Sequence, residues 1–269
     1  MTFVPITDAE IDVDSPVTQV LMTKYRDNID AIGQRGVATP KILGVPYDRQ
    51  VFTASGTWTK PSNAETGDTV IVWGVGGGGA GGKNATDNGG GGGNGGAGFL
   101  WRITDIDTLA ATETIVVGAG AAGRTTQGDG SNGGNTSFGT SGQDGYCRFT
   151  GGNGGPDNGN EPNMPEIVSY STTLSANVTT NWQEGRGANR SSNGFASASN
   201  LGGGGGGGGG SSSGGIGGFS ANAGHGGAGG AASNGGAGAF PGGGGGGSRD
   251  GNSGAGGAGY MVVYSVKEG

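Results

Sequence analysis

The stretch LGGGGGGGGGSSSGGIGGF, residues 201–219, contains nine consecutive glycines, Gly202 to Gly210. Glycine loses more conformational freedom on folding than any other residue, roughly 0.5–1 kcal/mol per ordered position relative to alanine. Such a run is therefore typical of a flexible linker. What surrounds the run decides whether it is a linker or part of the folded body.

Glycine is concentrated in the later part of the chain. Five of the 71 glycines lie in residues 1–70, and the other 66 lie in the remaining 199 residues. A collagen chain is also one-third glycine, but it repeats glycine at every third position and is rich in proline. The glycine runs here are irregular and the chain has nine prolines, which argues against a collagen helix.

Between the glycine tracts lie short segments rich in β-branched and aromatic residues, which predict strands. They are VFTASGTWTKP (51–61), DTVIVWGV (68–75), GFLWRIT (98–104), ETIVVGAG (113–120), TSFG (136–139), YCRFT (146–150) and GYMVVYSV (259–266). A linker joins two domains, whereas these glycine tracts leave a β framework and return to it. The sequence therefore predicts a mainly β, sandwich-like domain over 51–269 with ordered polyglycine inside it.

Polyglycine becomes ordered when it adopts the polyproline-II geometry, which has three residues per turn, a rise of about 3.1 Å and no internal hydrogen bonds. Without side chains, neighbouring helices approach closely and bond through their backbones. Nine residues then span about 28 Å. We expect about eight to ten such passes, stabilised by backbone hydrogen bonds in place of an apolar core.

Residues 1–50 differ in composition and predict a separate N-terminal segment. Ser15-Pro16 is typical of a helix start and Gly33 of a helix end, which predicts a helix over about residues 16–32. Its apolar positions share one face: Val17, Leu21, Tyr25, Ile29 and Ile32. A helix of this length is marginal by itself in water, so this face predicts a partner, which is the rest of its own domain, a second copy of the chain or another protein. Residues 37–50 are rich in Pro and Gly and predict an extended connector.

The charge and composition disfavour several classes of partner. The net charge of −7 and the pI near 4.6 argue against nucleic acid and anionic membranes. No apolar run approaches 18 residues, and the first residues lack the pattern of a signal peptide, so neither membrane insertion nor secretion by that route is expected. Cys147 is the only cysteine and is expected to be a small buried residue.

Motifs for catalysis or for a bound cofactor are weak. GVGGGGAGGKN (74–84) resembles a phosphate-binding loop, but Asn84 follows Lys83 where that loop needs Ser or Thr. His225 has no nucleophile beside it, and the carboxylates of Asp105 and Asp107 are expected to be solvated. GDGSNGG (128–134) and GGPDNGN (154–160) lack the nine-residue period of calcium-binding repeats, so turns are expected there. The sequence thus predicts no enzyme, no cofactor and no metal.

One glycine-poor segment, residues 156–200, interrupts the glycine-rich region. It combines aromatic and arginine side chains with Ser, Gly and Asn, a composition typical of adaptable binding loops. We predict that it contacts a receptor through Tyr170, Trp182, Arg186, Arg190 and Phe195. A structural flap over the framework is the alternative. The shorter interruptions 83–88, 140–149, 219–225 and Phe240-Pro241 are further candidates beside it.

The segments FTASGTWTKP, VIVWGVGGGGAGG, ETIVVGAGAAG, GNTSFG and GAGGAGYMVVYSV, in this order, resemble the glycine-rich domain of bacteriophage tail-fibre and related surface proteins. The polyglycine passes also resemble the tip adhesin of T-even-like long tail fibres, in which polyglycine helices stack and loops at their distal ends bind the receptor. PITDAEIDVDSPVTQVLMTKYRDNIDAI (5–32) resembles a segment at the start of phage virion proteins.

This resemblance implies a virion fibre protein on the phage particle surface, made in the bacterial host cytoplasm. It also implies a homotrimer that attaches to other virion proteins through its N-terminal segment and binds a host surface protein or glycan. Two alternatives are a head-fibre, collar or decoration protein without a specific receptor, and a polysaccharide-degrading spike.

Overall fold

The computed structural model describes part of the chain, namely residues 23–24, 46–85, 89–139, 146–160, 162, 185, 187–189, 192–196, 202–210, 213–231 and 233–267. The chain divides into two units, Met1–Val45 with Lys267–Gly269, and Pro46–Val266. Of the helix predicted over 16–32, Thr23 and Lys24 are described and are helical. The apolar face of that helix, Val17, Leu21, Tyr25, Ile29 and Ile32, lies outside the described residues.

The strands of the second unit follow the predicted segments closely. They are β1 (Pro46–Phe52), β2 (Gly56–Thr59), β3 (Thr69–Val75), β4 (Gly98–Ile103), β5 (Thr112–Val116), β6 (Thr136–Phe138), β7 (Cys147–Phe149) and β8 (Tyr260–Val266). A 3-10 turn, Ile106–Thr108, precedes β5. The connector predicted over 37–50 is wrong at its end, because β1 already begins at Pro46, and proline is tolerated as the first residue of a strand.

The strands form two antiparallel sheets that face each other. One has the order β1-β8-β3-β4 and the other β2-β5-β6-β7. Large apolar side chains fill the space between them, among them Trp58, Phe99, Trp101, Phe138 and Phe149. The rings of Trp58 and Phe138 meet edge to face, with centroids 5.6 Å apart. The predicted mainly β, sandwich-like framework is therefore confirmed.

The glycine tracts continue the strands of both sheets and then bond directly to one another. Residues 76–84 extend β3, and residues 150–157 extend β7 from the opposite sheet. Gly77 N–H donates to the carbonyl of Gly134 at 2.9 Å, and Gly152 N–H donates to the carbonyl of Gly77 at 2.8 Å. Where the residues are glycines without side chains, the two layers approach each other to within hydrogen-bonding distance of their backbones. We call this part of the unit the polyglycine lattice.

The nine-glycine run is a pass with neighbouring passes on all sides. The N–H groups of Gly203, Gly206 and Gly209 donate to residues 96, 93 and 90. Those of Gly204 and Gly207 donate to residues 224 and 227. The N–H groups of residues 205 and 208 donate to the carbonyls of residues 195 and 192. The donor–acceptor distances of these seven hydrogen bonds are 2.8–3.1 Å. The neighbour changes with every residue and returns at every third, which is the period of a polyproline-II helix.

The carbonyls of the same run serve three further passes. They accept from the N–H groups of residues 185 and 188, of 215 and 218, and of 244 and 247. All nine glycines are buried, and the surrounding backbones satisfy the polar groups that a buried chain must pair. The ordered polyglycine predicted from the sequence is confirmed, and the run is not a linker.

The described lattice contains more passes than the eight to ten expected. They run over 76–84, 89–97, 118–124, 128–135, 150–157, 185 with 187–189, 192–196, 202–210, 213–220, 223–231, 233–239, 242–248 and 253–259. The turn predicted over 128–134 is wrong, since this stretch is a pass, whereas a turn does occur at Asp157–Gly159.

Asparagine and aspartate replace backbone acceptors along one pass. The Oδ1 atoms of Asp129, Asn132 and Asn135 accept from the N–H groups of residues 157, 154 and 151, at 2.7, 2.9 and 3.0 Å. Because a polyproline-II helix turns once in three residues, this spacing places the three side chains on one face. The lattice can therefore end at a row of short polar side chains.

Candidate functional site

The structure describes one of the five predicted receptor-contacting residues. Tyr170, Trp182, Arg186 and Arg190 lie outside the described residues, and their predicted role stays a prediction. Phe195 is described, and half of its surface is exposed. Its carbonyl accepts from Gly205 N–H at 3.1 Å, so it lies on a pass that packs directly on the nine-glycine run.

Phe219 lies on the pass beside Phe195. Gly218 N–H also bonds to Gly205, at 2.7 Å, and a Cβ built on Gly218 would collide with the Phe195 carbonyl. The Phe219 side chain is 60% exposed. Two exposed phenylalanines from different parts of the sequence therefore lie on passes that pack against each other.

His225 supports the Phe219 ring. The two rings stack with centroids 4.8 Å apart and an interplanar angle of 24°. The Nδ1 atom of His225 accepts from Ser220 N–H at 3.1 Å, and the Ser220 hydroxyl donates to the Gly202 carbonyl at 2.7 Å. The turn that carries both rings is therefore attached to the start of the nine-glycine run.

Phe240 continues the row towards the sheets. Ala239 N–H donates to the His225 carbonyl at 2.8 Å, which places Phe240 on the pass next to His225. Its ring is 51% exposed and meets Tyr260 edge to face at 5.6 Å, and Tyr260 in turn meets Trp73 at 5.3 Å. We call Phe195, Phe219, His225 and Phe240 the aromatic edge.

The aromatic edge lies in a part of the chain without charge. Residues 191–248 contain no Asp, Glu, Lys or Arg, although the whole chain has a net charge of −7. The sequence predicted Phe219–His225 and Phe240-Pro241 as candidates beside the segment that contains Phe195, but it did not indicate which passes would bring them next to one another. The charge-free run is the signal that could have marked this region as one surface.

Two other candidate stretches have structural roles where they are described. Of 140–149, residues 146–149 belong to the core: Cys147 and Phe149 are fully buried, and Tyr146 packs against the core. Burial raises the pKa of the Cys147 thiol well above its ordinary value. Of 83–88, Lys83 donates through its ammonium at 2.8 Å to the carbonyl of Thr125, which lies in the short connection between the passes 118–124 and 128–135.

The acidic pair near β4 is also accounted for by structure. Asp105 caps the 3-10 turn by accepting from Asp107 N–H at 2.9 Å. The exposed Asp107 carboxylate accepts from the Thr66 hydroxyl at 2.7 Å and lies 3.6 Å from the Lys60 ammonium. Within the described ranges, no group of three or more His, Cys, Asp or Glu side chains is arranged to hold a metal ion.

The described part of the chain has no helix that is both long enough and apolar enough to cross a bilayer.

Comparison with known proteins identifies one family. No curated protein matches the sequence. A family model described as "Glycine-rich domain" matches residues 51–265, which include all the strands from β2 to β7, the last two residues of β1, all but the last residue of β8, and every lattice pass. On that match, the chain belongs to the glycine-rich domain family.

Proposed function

We propose that this chain is a phage virion fibre protein that recognises the surface of a bacterial host. The observation that carries the proposal is the aromatic edge, whose three phenylalanines are each half exposed or more. Soluble proteins rarely leave a contiguous apolar patch uncovered unless it binds something. Scattered exposed apolar residues would carry no such meaning, but these belong to adjacent passes.

The lattice supports this role because it holds the rings in place. A ring on a rigid support loses little freedom when a partner binds, so more of the contact energy appears as affinity. Aromatic residues also dominate the energetics of many interfaces. The proposed partner is a host surface protein or glycan. Trp182, Tyr170, Arg186 and Arg190 are proposed as further anchors together with Phe195.

The proposal includes the arrangement on the particle. The chain would act as a homotrimer on the virion surface, attached to other virion proteins through the apolar positions Val17, Leu21, Tyr25, Ile29 and Ile32. Several copies on one particle would multiply weak single contacts into firm attachment. No catalytic step is part of the proposal.

Adsorption tests this function. Labelled full-length protein is mixed with the bacterial strain in which the parent particle propagates, and bound fluorescence is measured by flow cytometry. We expect Phe219→Ala and Trp182→Ala each to lower adsorption at least tenfold while leaving the melting temperature unchanged. Val116→Ala is the matched control, because Val116 is an exposed apolar residue of the sandwich and not of the aromatic edge.

Three results would contradict the proposal. Absence of adsorption by the unaltered protein would favour a decoration role. Adsorption that falls only in parallel with the melting temperature would favour a structural flap. Release of sugar from host polysaccharide would favour a degrading spike. Antibody labelling of imaged particles gives the location of the chain independently.

A further inference from the structure

An open groove of about 440 Å³ lies along the passes 128–135 and 150–157, which do not carry the aromatic edge. Side chains and backbone of the two passes and of the turn that follows them line it: Asp129, Gly130, Asn132, Asn153, Gly154, Pro156, Asn158, Asn160 and Pro162. Its volume falls within the roughly 300–1,000 Å³ typical of small-ligand sites. The lining side chains are those of four asparagines, one aspartate and two prolines.

Three of the lining side chains are fixed through one oxygen each. The Oδ1 atom of Asn132 accepts from Gly154 N–H at 2.9 Å, and that of Asp129 accepts from Asp157 N–H at 2.7 Å. The Oδ1 atom of Asn158 accepts from Asn160 N–H at 3.0 Å. These bonds define the orientation of each group, so the amide NH2 groups of Asn132 and Asn158 remain as donors and the second oxygen of Asp129 as an acceptor.

This combination of groups matches a sugar. The hydroxyls of a sugar both donate and accept, so they can pair with two amide donors and one carboxylate acceptor. The C–H face of a sugar ring can pack on Pro156 or Pro162, because these rings are apolar. The described lining contains a carboxylate and no Lys or Arg, so a phosphate or an acidic sugar would meet repulsion without a compensating cation.

We propose that this groove binds an uncharged sugar residue of a surface polysaccharide. The inference rests on the proposed host recognition and makes its ligand class specific, at a site separate from the aromatic edge. The groove is preorganised for binding, because backbone N–H groups of the lattice already orient the polar side chains that would contact the sugar.

Two substitutions remove the donors and keep the fold. Asn132→Asp and Asn158→Asp retain the oxygen that accepts from the backbone and replace the amide NH2 by a second oxygen. Asn135→Asp is the matched control: Asn135 lies on the same pass and accepts from Gly151 N–H at 3.0 Å, but it does not line the groove. The full-length chain and each variant are applied to an array of neutral and anionic bacterial polysaccharides, and melting temperatures are measured in parallel.

We expect the unaltered chain to bind neutral members of the array, with binding at least tenfold weaker for Asn132→Asp and Asn158→Asp. Binding by Asn135→Asp should be unchanged, as should all the melting temperatures. The inference is overturned if the two groove variants bind normally, if Asn135→Asp loses binding equally, or if only anionic members are bound.

The outcome also separates the two proposals. Adsorption to host cells that depends on Phe219, without any binding to the array, would overturn the sugar groove and leave host recognition in place. Groove-dependent binding to the array without adsorption to host cells would overturn host recognition and leave the sugar site.

Discussion

The same two layers of chain are held together in two different ways inside β3 and β7 and just beyond the C-terminal ends of these strands. At the sandwich end, the Phe149 ring occupies the space where a Cβ on Gly74 would lie, so a side chain from one sheet fills the gap to the other. Sheets that pack on side chains stand about 10 Å apart. Three residues beyond Gly74, Gly77 of one layer accepts a 2.8 Å hydrogen bond from Gly152 of the other.

The difference shows that the presence or absence of a Cβ atom at each residue determines which interaction stabilises the fold. The sandwich depends on apolar burial, which tolerates changes of shape when volume is kept. The lattice depends on backbone hydrogen bonds, and a Cβ added at most of its glycines would come closer than 3.0 Å to a neighbouring carbonyl. A different kind of substitution should therefore destabilise each region.

The largest effect is expected from placing a side chain inside the lattice. A Cβ on Gly206 would collide with the Gly245 carbonyl, so Gly206→Val should separate the passes, break hydrogen bonds worth about 1 kcal/mol each, and prevent folding. Gly56→Val in β2 is the control, because the nearest atom to a Cβ there is 3.6 Å away. Its unfolding free energy should change by less than about 1 kcal/mol. Thermal melts that are equal for the two variants would contradict the comparison.

A cavity in the sandwich should have the next largest effect. Phe138 is fully buried against Trp58, so Phe138→Ala should lower the unfolding free energy by about 3–5 kcal/mol. Phe240→Ala removes the same ring from the aromatic edge, where it is 51% exposed, and should cost less than about 1 kcal/mol. Urea denaturation measures both. A larger loss for Phe240→Ala would mean that the aromatic edge is part of the core.

The row of side-chain acceptors at the edge of the lattice should give a smaller effect. Asn135→Ala leaves the buried Gly151 N–H without its acceptor and should cost about 1–3 kcal/mol. Asn135→Asp keeps an oxygen in place and should restore most of that loss. If both variants melt alike, the side-chain oxygen does not contribute to the lattice, and the period of three has a different origin.

Alkaline pH should give the smallest effect, and it should arise in the sandwich. The Tyr47 hydroxyl donates to Asp68 at 2.9 Å, and burial, together with the Asp68 carboxylate, raises the pKa of Tyr47 above its ordinary 10.0. Above about pH 10 the unfolded chain loses this proton while the folded chain keeps it, so stability falls as the pH rises. Tyr47→Phe should show a smaller decrease in melting temperature between pH 8 and 11. An identical decrease would exclude this residue as the cause.

Local sequence patterns were sufficient to predict much of the fold. Segments 68–75, 98–104 and 259–266 contain strands within one or two residues of the expected bounds, because apolar β-branched residues and flanking glycines are both local signals. The order of the nine-glycine run was predictable for a similar reason, since the strands on both sides return to one framework. One stretch was predicted incorrectly. Asp129, Asn132 and Asn135 are spaced three residues apart, which is the period of a polyproline-II pass, but the stretch was interpreted as a turn.

The candidate site was less predictable. Phe195, Phe219 and Phe240 become neighbours only because of which passes pack together, and each polyglycine pass offers the same backbone to every possible neighbour. No periodicity within one pass can therefore indicate its partners. The groove presents the same difficulty, since Asn132 and Asn158 belong to different passes or turns and contribute to one surface only after the lattice has assembled.

The three-residue period of the lattice has a consequence for how such chains diverge in evolution. Inserting one residue within a pass would rotate every later residue by a third of a turn, so each N–H would face the wrong neighbour. Inserting three residues would keep each later N–H facing the same neighbouring pass and lengthen the pass by about 9 Å. Descendants of this chain should therefore change the length of their passes in triplets, whereas the segments that join the passes are free to vary by any number of residues.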